Sequence, residues 1–229
     1  RGRVNQFAFQ VLWAILEDVQ TSKSSDYQDL EFRIFLANPP LDDLPPERDW
    51  WQYEVFGPSF LWTRTGLVKR LYLGKPRPDI IFSPSHYGPA ISPIPSIISI
   101  MDLGFLHWPE QFTKLIYWQL KRWTKQSVNQ AKRIITISKF SKRDVVDTYQ
   151  IPADKITVAY LGFNQKEEAG DLEQETREKY SLPEKYILYL GTLKPNKNID
   201  GLINAYKLLT TNHKNLDAKL VIAGKKGWL

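Results

Sequence analysis

Four short apolar runs, at residues 79–83, 95–102, 133–138 and 155–161, follow one another along the middle of the chain. Segments of helical period, 110–131 and 139–149, separate the later ones. Runs that are apolar throughout, rather than at alternate positions, suit parallel strands covered on both faces. The chain is therefore an α/β protein, and ligands of such open sheets gather at the carboxyl ends of the strands. Residues 186–229 repeat the pattern with an apolar strand, a turn holding Gly191 and Pro195, an amphipathic helix and a second apolar strand. Two strands are too few to close a core, which predicts that the sequence is a fragment.

The chain opens on a helical pattern at 4–19, followed by a strand-like run at 31–38. Residues 38–58, rich in proline, acids and tryptophan, read as a long surface loop, and 60–73 as a helix ending at Gly74. Residues 164–185 are charged and almost free of apolar side chains until Tyr180, which marks a linker. The predicted division is a first domain at 1–164, a linker at 165–185 and the start of a second domain at 186–229.

Composition excludes more than it selects. The 31 basic and 25 acidic residues leave a formal charge of +6, which suits anionic ligands or a lipid surface without singling out either. No cysteine is present, so disulfides, zinc–thiolate sites and cysteine nucleophiles are excluded. Three scattered histidines offer no metal-ligand spacing. The longest apolar run, 90–101, falls short of the ~18 residues a spanning helix needs and is broken by Pro93 and Pro95. Basic residues are spread out, with no aromatic-studded sheet motif for nucleic acid.

The richest motif is Gly191-Thr192-Leu193-Lys194-Pro195-Asn196-Lys197-Asn198. Gly191 lets backbone approach a ligand, Asn198 is placed to cap the next helix, and helix-terminal amides favour an anion. Lys197 adds a point charge for a phosphate; the competing reading is a plain turn with a solvated lysine. Lys225 and Lys226 follow the last strand and read most simply as a solvated pair. Asp102 ends a buried run, where it can serve either a ligand or a loop cap. Ser138 and Ser141 read as caps of the helix beginning near Lys139, since neither sits in a glycine-flanked elbow.

These motifs, taken in order, resemble a known family. The stretch from Gly191 into the following helix, and the Leu220-Val221-Ile222-Ala223-Gly224 strand, resemble the opening of the C-terminal domain of retaining glycosyltransferases of family 4, which have the GT-B fold. Upstream, Phe82-Ser83-Pro84-Ser85-His86, the Met101-Asp102-Leu103 stretch with Pro109-Glu110, and Ile137-Ser138-Lys139-Phe140-Ser141 are similar to its N-terminal motifs.

The resemblance implies a Rossmann-like, acceptor-side N-terminal domain lacking its first strand, followed by the beginning of a second Rossmann-like domain that binds a nucleotide-sugar. It implies transfer of a sugar from a nucleotide-diphosphate donor to a hydroxyl of a glycan or lipid-linked acceptor, with retention and without metal or cofactor. Gly2, Gly191 and Lys197 are then the candidates for the donor diphosphate, His86 for the acceptor side and Asp102 for catalysis. It further implies a cytoplasmic enzyme, peripheral on the inner face of the cell membrane, of which this stretch alone is inactive.

Two departures stand out. The family's histidine position is Met101, whose thioether neither donates a proton nor carries charge. The arginine before the motif lysine is Asn196. Met101 keeps open a degenerate, non-catalytic glycan- or nucleotide-binding module. A dinucleotide-dependent oxidoreductase would share the α/β rhythm, but no GxGxxG follows either strand.

On the helix at 110–131, Phe112, Leu115, Ile116, Leu120 and Trp123 form one apolar stripe at 100° per residue. Lys114, Lys121 and Lys125 fall opposite, with Trp118 beside them. That side reads either as a contact for an anionic membrane or as a solvated basic face.

Overall fold

In the computed structural model the structure describes residues 3–22, 29–162, 171–214 and 216–227. They form two compact units, Arg1–Leu161 and Gly162–Leu229.

The first unit opens with α1 (Arg3–Thr21), followed by a parallel pair, β1 (Phe32–Leu36) and β2 (Trp51–Val55). The β2 strand corrects the reading of 38–58 as a surface loop. Its prolines and acids are confined to the approach, while Trp51 is fully buried with its ring 5.4 Å from that of Phe32. Aromatic and β-branched side chains fit such a half-covered ladder, and they outweigh the polar flank. The expected helix at 60–73 is shorter, α2 (Gly66–Leu73), because Leu61 takes a φ of 50° and residues 60–65 form turns.

The central sheet is parallel, in the order β3 (Ile81–Ser83), β4 (Ser96–Ile100), β5 (Arg133–Thr136) and β6 (Ile156–Val158). Each strand pairs with the next in sequence. After β4 come a short helix, α3 (Gly104–His107), a 3-10 turn (Pro109–Gln111) and α4 (Lys114–Gln130). The single helix expected at 110–131 is interrupted where Thr113 turns extended and caps α4, accepting from the amide of Ile116 at 3.4 Å. β5 leads to α5 (Lys139–Tyr149), capped by Ser138, which accepts from the Ser141 amide at 3.0 Å. The core lies between the sheet and its helices. Ile98, Ile100 and Ile134 of the strands pack with Val128 of α4 and Val145 of α5.

Phe112 and Leu120 of the α4 stripe pack against this core, but Leu115 and Ile116 are exposed. The period located the helix; the direction of its buried face is set by Thr124, Ser127 and Val128, all of them buried.

The second unit contains α6 (Asp171–Lys179), within the expected linker, and a parallel pair, β7 (Tyr186–Leu190) and β8 (Lys219–Ala223), joined through α7 (Ile199–Asn212).

Candidate functional site

In the first unit, β3, β4 and β5 end side by side, with Ser83 opposite Ile98 and Ile100 opposite Thr136. The residues that follow meet over the Met101–Asp102 backbone. Ser138 and Ser141 lie 3.0 Å apart through their hydroxyls, and Ser141 donates to the Met101 carbonyl at 2.7 Å. From the other side, His86 Nε2 reaches the Asp102 carbonyl at 3.0 Å.

A carbonyl oxygen only accepts, so Nε2 of His86 carries the proton and Nδ1 keeps its lone pair. Burial pushes this imidazole below its ordinary value of 6.5, against the opposing pull of the Asp102 carbonyl and carboxylate. At neutral pH His86 is thus an uncharged ring with one committed donor and one acceptor. The edge of Phe105 packs on it, with ring centroids 6.1 Å apart.

Asp102 is exposed, and one carboxylate oxygen accepts from the Gly104 amide at 2.9 Å, closing the turn into α3. The structure therefore gives it the loop-capping role and brings it beside His86. Met101 contributes its carbonyl, and Ser138 and Ser141 act as caps and struts.

The loop carrying His86 is fastened to α4. Gly88 donates its amide to Ser127 Oγ at 3.2 Å, and Gln126 donates to the Ala90 carbonyl at 2.7 Å. Gln119 donates to Tyr87 Oη at 3.3 Å, and the Tyr87 ring meets Trp123 edge-on at 5.1 Å. Arg64 lies over Trp123 at 4.3 Å and donates to Gln126 at 2.8 Å. None of this is visible as a sequence motif, because the partners lie 32 to 62 positions apart.

His107 is not part of this cluster by any contact shown. Its Nε2 faces both carboxylate oxygens of Asp144 on α5, at 3.0 and 2.9 Å. Sequence reasoning missed this pair; only the helical placement of Asp144 opposite the end of α3 reveals it.

In the second unit the turn after β7 lies against the turn after β8. Leu193 donates to the Lys225 carbonyl and Gly227 to the Leu193 carbonyl, each at 3.0 Å. Gly224 is required there, since a Cβ on it would stand 1.7 Å from the Gly191 carbonyl oxygen. A 3-10 turn, Pro195–Lys197, leads to Asn198 at φ 50°, which caps α7 by accepting from the Gly201 amide at 3.3 Å. The amides opening α7 have no partner within the helix, as at any helix start. Lys197 is exposed beside them, as are Lys225 and Lys226 on the adjoining turn.

Two expectations change here. The Gly191 amide donates to the Ala223 carbonyl at 3.0 Å and so is spent on the ladder, not aimed at a ligand. Asp200, exposed in the first turn of α7, places a carboxylate at the helix end that would attract an anion. Gly2 lies outside the described residues.

Among the described residues no helix is long and apolar enough to cross a membrane. Among them, too, no three His, Asp or Glu side chains gather as a metal ion would need.

Comparison with known proteins finds glycosyltransferases. The O-antigen chain mannosyltransferase B of Escherichia coli is 30% identical over 138 residues, covering 58% of this chain and 35% of that protein. The O-antigen chain mannosyltransferase RfbU of Salmonella typhimurium is 27% identical over 116 residues, 51% of this chain and 30% of its own length. An uncharacterized glycosyltransferase, MJ1607 of Methanocaldococcus jannaschii, is 35% identical over 104 residues, 43% of this chain and 26% of its own. The chain spans about a third of the length of the curated relatives it matches. The family model for Glycosyltransferase Family 4 matches residues 28–167, and that for Glycosyl transferases group 1 matches 173–229. Parallel sheets in both units fit the GT-B architecture, and the chain belongs to glycosyltransferase family 4.

Proposed function

We propose that the protein carrying this chain transfers a sugar from a nucleotide-diphosphate donor to a hydroxyl of a glycan or lipid-linked acceptor, with retention of configuration. The observation that carries the reading is the turn between β7 and α7. It is backed by a close glycine contact, opens a helix and bears Lys197. Bond breaking at the anomeric carbon leaves negative charge on the departing diphosphate. Preoriented amides and cations in a fixed site stabilise that charge without reorganising. The first amides of α7 and Lys197 fill that role, and no metal or other cofactor is called for. Retention is carried over from the family resemblance.

On the acceptor side, His86 offers Nδ1 as a neutral hydrogen-bond acceptor for a substrate hydroxyl. Against the burial that lowers the His86 pKa, the Asp102 carboxylate lies close enough to raise it by its charge, so it stands on the same side of the sheet ends. The relatives named for O-antigen chain mannosyl transfer favour a mannosyl donor and a polysaccharide acceptor. The proposed location is the cytoplasm.

Saturation-transfer NMR with a panel of nucleoside diphosphates and their mannosyl derivatives tests the reading on the whole protein. One nucleotide should bind, and Lys197→Ala should weaken it. No binding by a well-folded protein would instead favour a degenerate interaction module, the reading that Met101 at the family's histidine position keeps in view.

A further inference from the structure

Arg64 is a half-buried cation in the turns before α2, and its charge is left uncompensated. Among the described residues no carboxylate forms an ion pair with it. Its Nε and Nη2 are enclosed and make no hydrogen bond there. Burial accordingly pulls the guanidinium below its ordinary pKa. An apolar side chain of similar length would fill the same space without desolvating a charge or stranding two donors. Packing therefore does not account for a guanidinium at this position.

The contacts it does make close a ring. Thr63 accepts from the Ala90 amide at 3.3 Å, the Ala90 carbonyl accepts from Gln126 Nε2 at 2.7 Å, and Gln126 Oε1 accepts from Arg64 Nη1 at 2.8 Å. Because Arg64 follows Thr63 in the chain, these three bonds join the turns before α2, the loop after β3, and α4. The Arg64 donor also fixes the sense of the Gln126 amide. With Oε1 held, Nε2 is left for Ala90, whereas the reversed amide would set two carbonyl oxygens against each other.

The face of the same guanidinium lies 4.3 Å from the Trp123 ring centroid and 5.9 Å from that of Tyr87. A planar cation stacks with its face and donates from its edge at once, which an ammonium does not. No helix or strand lies between Ser83 and Ser96, so such side-chain contacts stand in for a ladder. Tyr87 and Ala90, the two loop residues this arrangement holds, flank the loop just beyond His86.

We propose that Arg64 is a positioning residue for the acceptor side: through Gln126 and Trp123 it sets where the loop after β3 holds the His86 ring against the Asp102 carbonyl. The step from ring placement to sugar transfer rests on the acceptor-side reading of His86; the placement itself does not.

Nitrogen-15 NMR of the histidine-labelled whole protein tests it, with the signals of His86, His107 and His213 assigned by single His→Gln variants. In wild type the Nε2 proton of His86 should exchange slowly and one tautomer should dominate. R64M should melt at or above the wild-type temperature, yet speed that exchange at least about tenfold and let both tautomers appear. Q126E gives Arg64 a carboxylate but withdraws the donor from Ala90, so it should loosen His86 in the same way without loss of melting temperature. His107, which faces Asp144, and His213 should keep their wild-type signals in both variants. An unaltered His86 signal in both variants would overturn the proposal. So would a lower melting temperature with all three histidines disturbed, since Arg64 would then serve packing alone. Undiminished sugar transfer by a variant whose His86 signal has changed would uphold the placement and overturn the acceptor-side reading of His86.

Discussion

His86 donates its Nε2 proton to the backbone carbonyl of Asp102 over 3.0 Å, tying the loop after β3 to the end of β4. The bond fixes the tautomer, and burial keeps the ring neutral.

The pH dependence of stability follows from the sign of that shift. The unfolded chain protonates His86 near 6.5, whereas the folded ring resists until lower pH. Its contribution is therefore present above 6.5 and is lost as pH falls through the folded value. Melting temperatures at pH 7.5 and 5.5 should differ less in His86→Gln than in wild type. An identical difference in both would show that His86 does not titrate abnormally.

Asp200 sets two effects against each other. A carboxylate in the first turn stabilises α7 through the helix dipole and repels a diphosphate at the same spot. Asp200→Asn should tighten nucleoside diphosphate binding about two- to fivefold while costing roughly 0.5 kcal/mol of stability. Titration calorimetry and melting measured together check both signs.

Gly224 has no room for a methyl group, since the added carbon would meet backbone at 1.7 Å. Gly224→Ala should destabilise the second unit by about 3 kcal/mol or more, because the carbonyl of Gly191 cannot swing aside without breaking the paired turns. Gly162→Ala, where an added Cβ has nothing within 4 Å, serves as the control. Denaturant midpoints decide it.

The hydroxyl of Tyr149 is buried without a hydrogen-bond partner among the described residues. Burial first, and the Asp144 charge second, push its pKa up to about 12. Removing an unsatisfied polar atom is neutral to favourable, so Tyr149→Phe should change stability by between zero and about +1 kcal/mol. A clear loss in chemical denaturation would mean that the hydroxyl has a partner in solution.

Because protein cations are assigned the charge-stabilising work, sugar transfer by the whole protein should survive a chelator. Loss of turnover in EDTA, restored by a divalent ion, would overturn the metal-free reading.

Much of the frame was legible because strong local signals agreed with the tertiary outcome. Ser138 announces α5, whose span matches the pattern at 139–149. The apolar runs became β3 to β6, trimmed at their ends where Met101 and Asp102 leave the ladder. Four things were hidden. β2 was masked by a proline- and acid-rich approach, and only the burial of Trp51 shows why the chain pairs there. The outward turn of Leu115 and Ile116 follows from burial of the small polar Thr124 and Ser127 with Val128, which a count of apolar residues does not favour. The engagement of the Gly191 amide by Ala223 and the His107–Asp144 pair are long-range events between residues that carry no mutual signal.

The connection between β3 and β4 contains no helix and is held to α4 by the side chains of Gln119, Gln126 and Ser127. Its length and composition can therefore drift without disturbing a strand register. Rewriting this one segment offers evolution a route to reshape the surface beside His86 while sparing the strands of the central sheet.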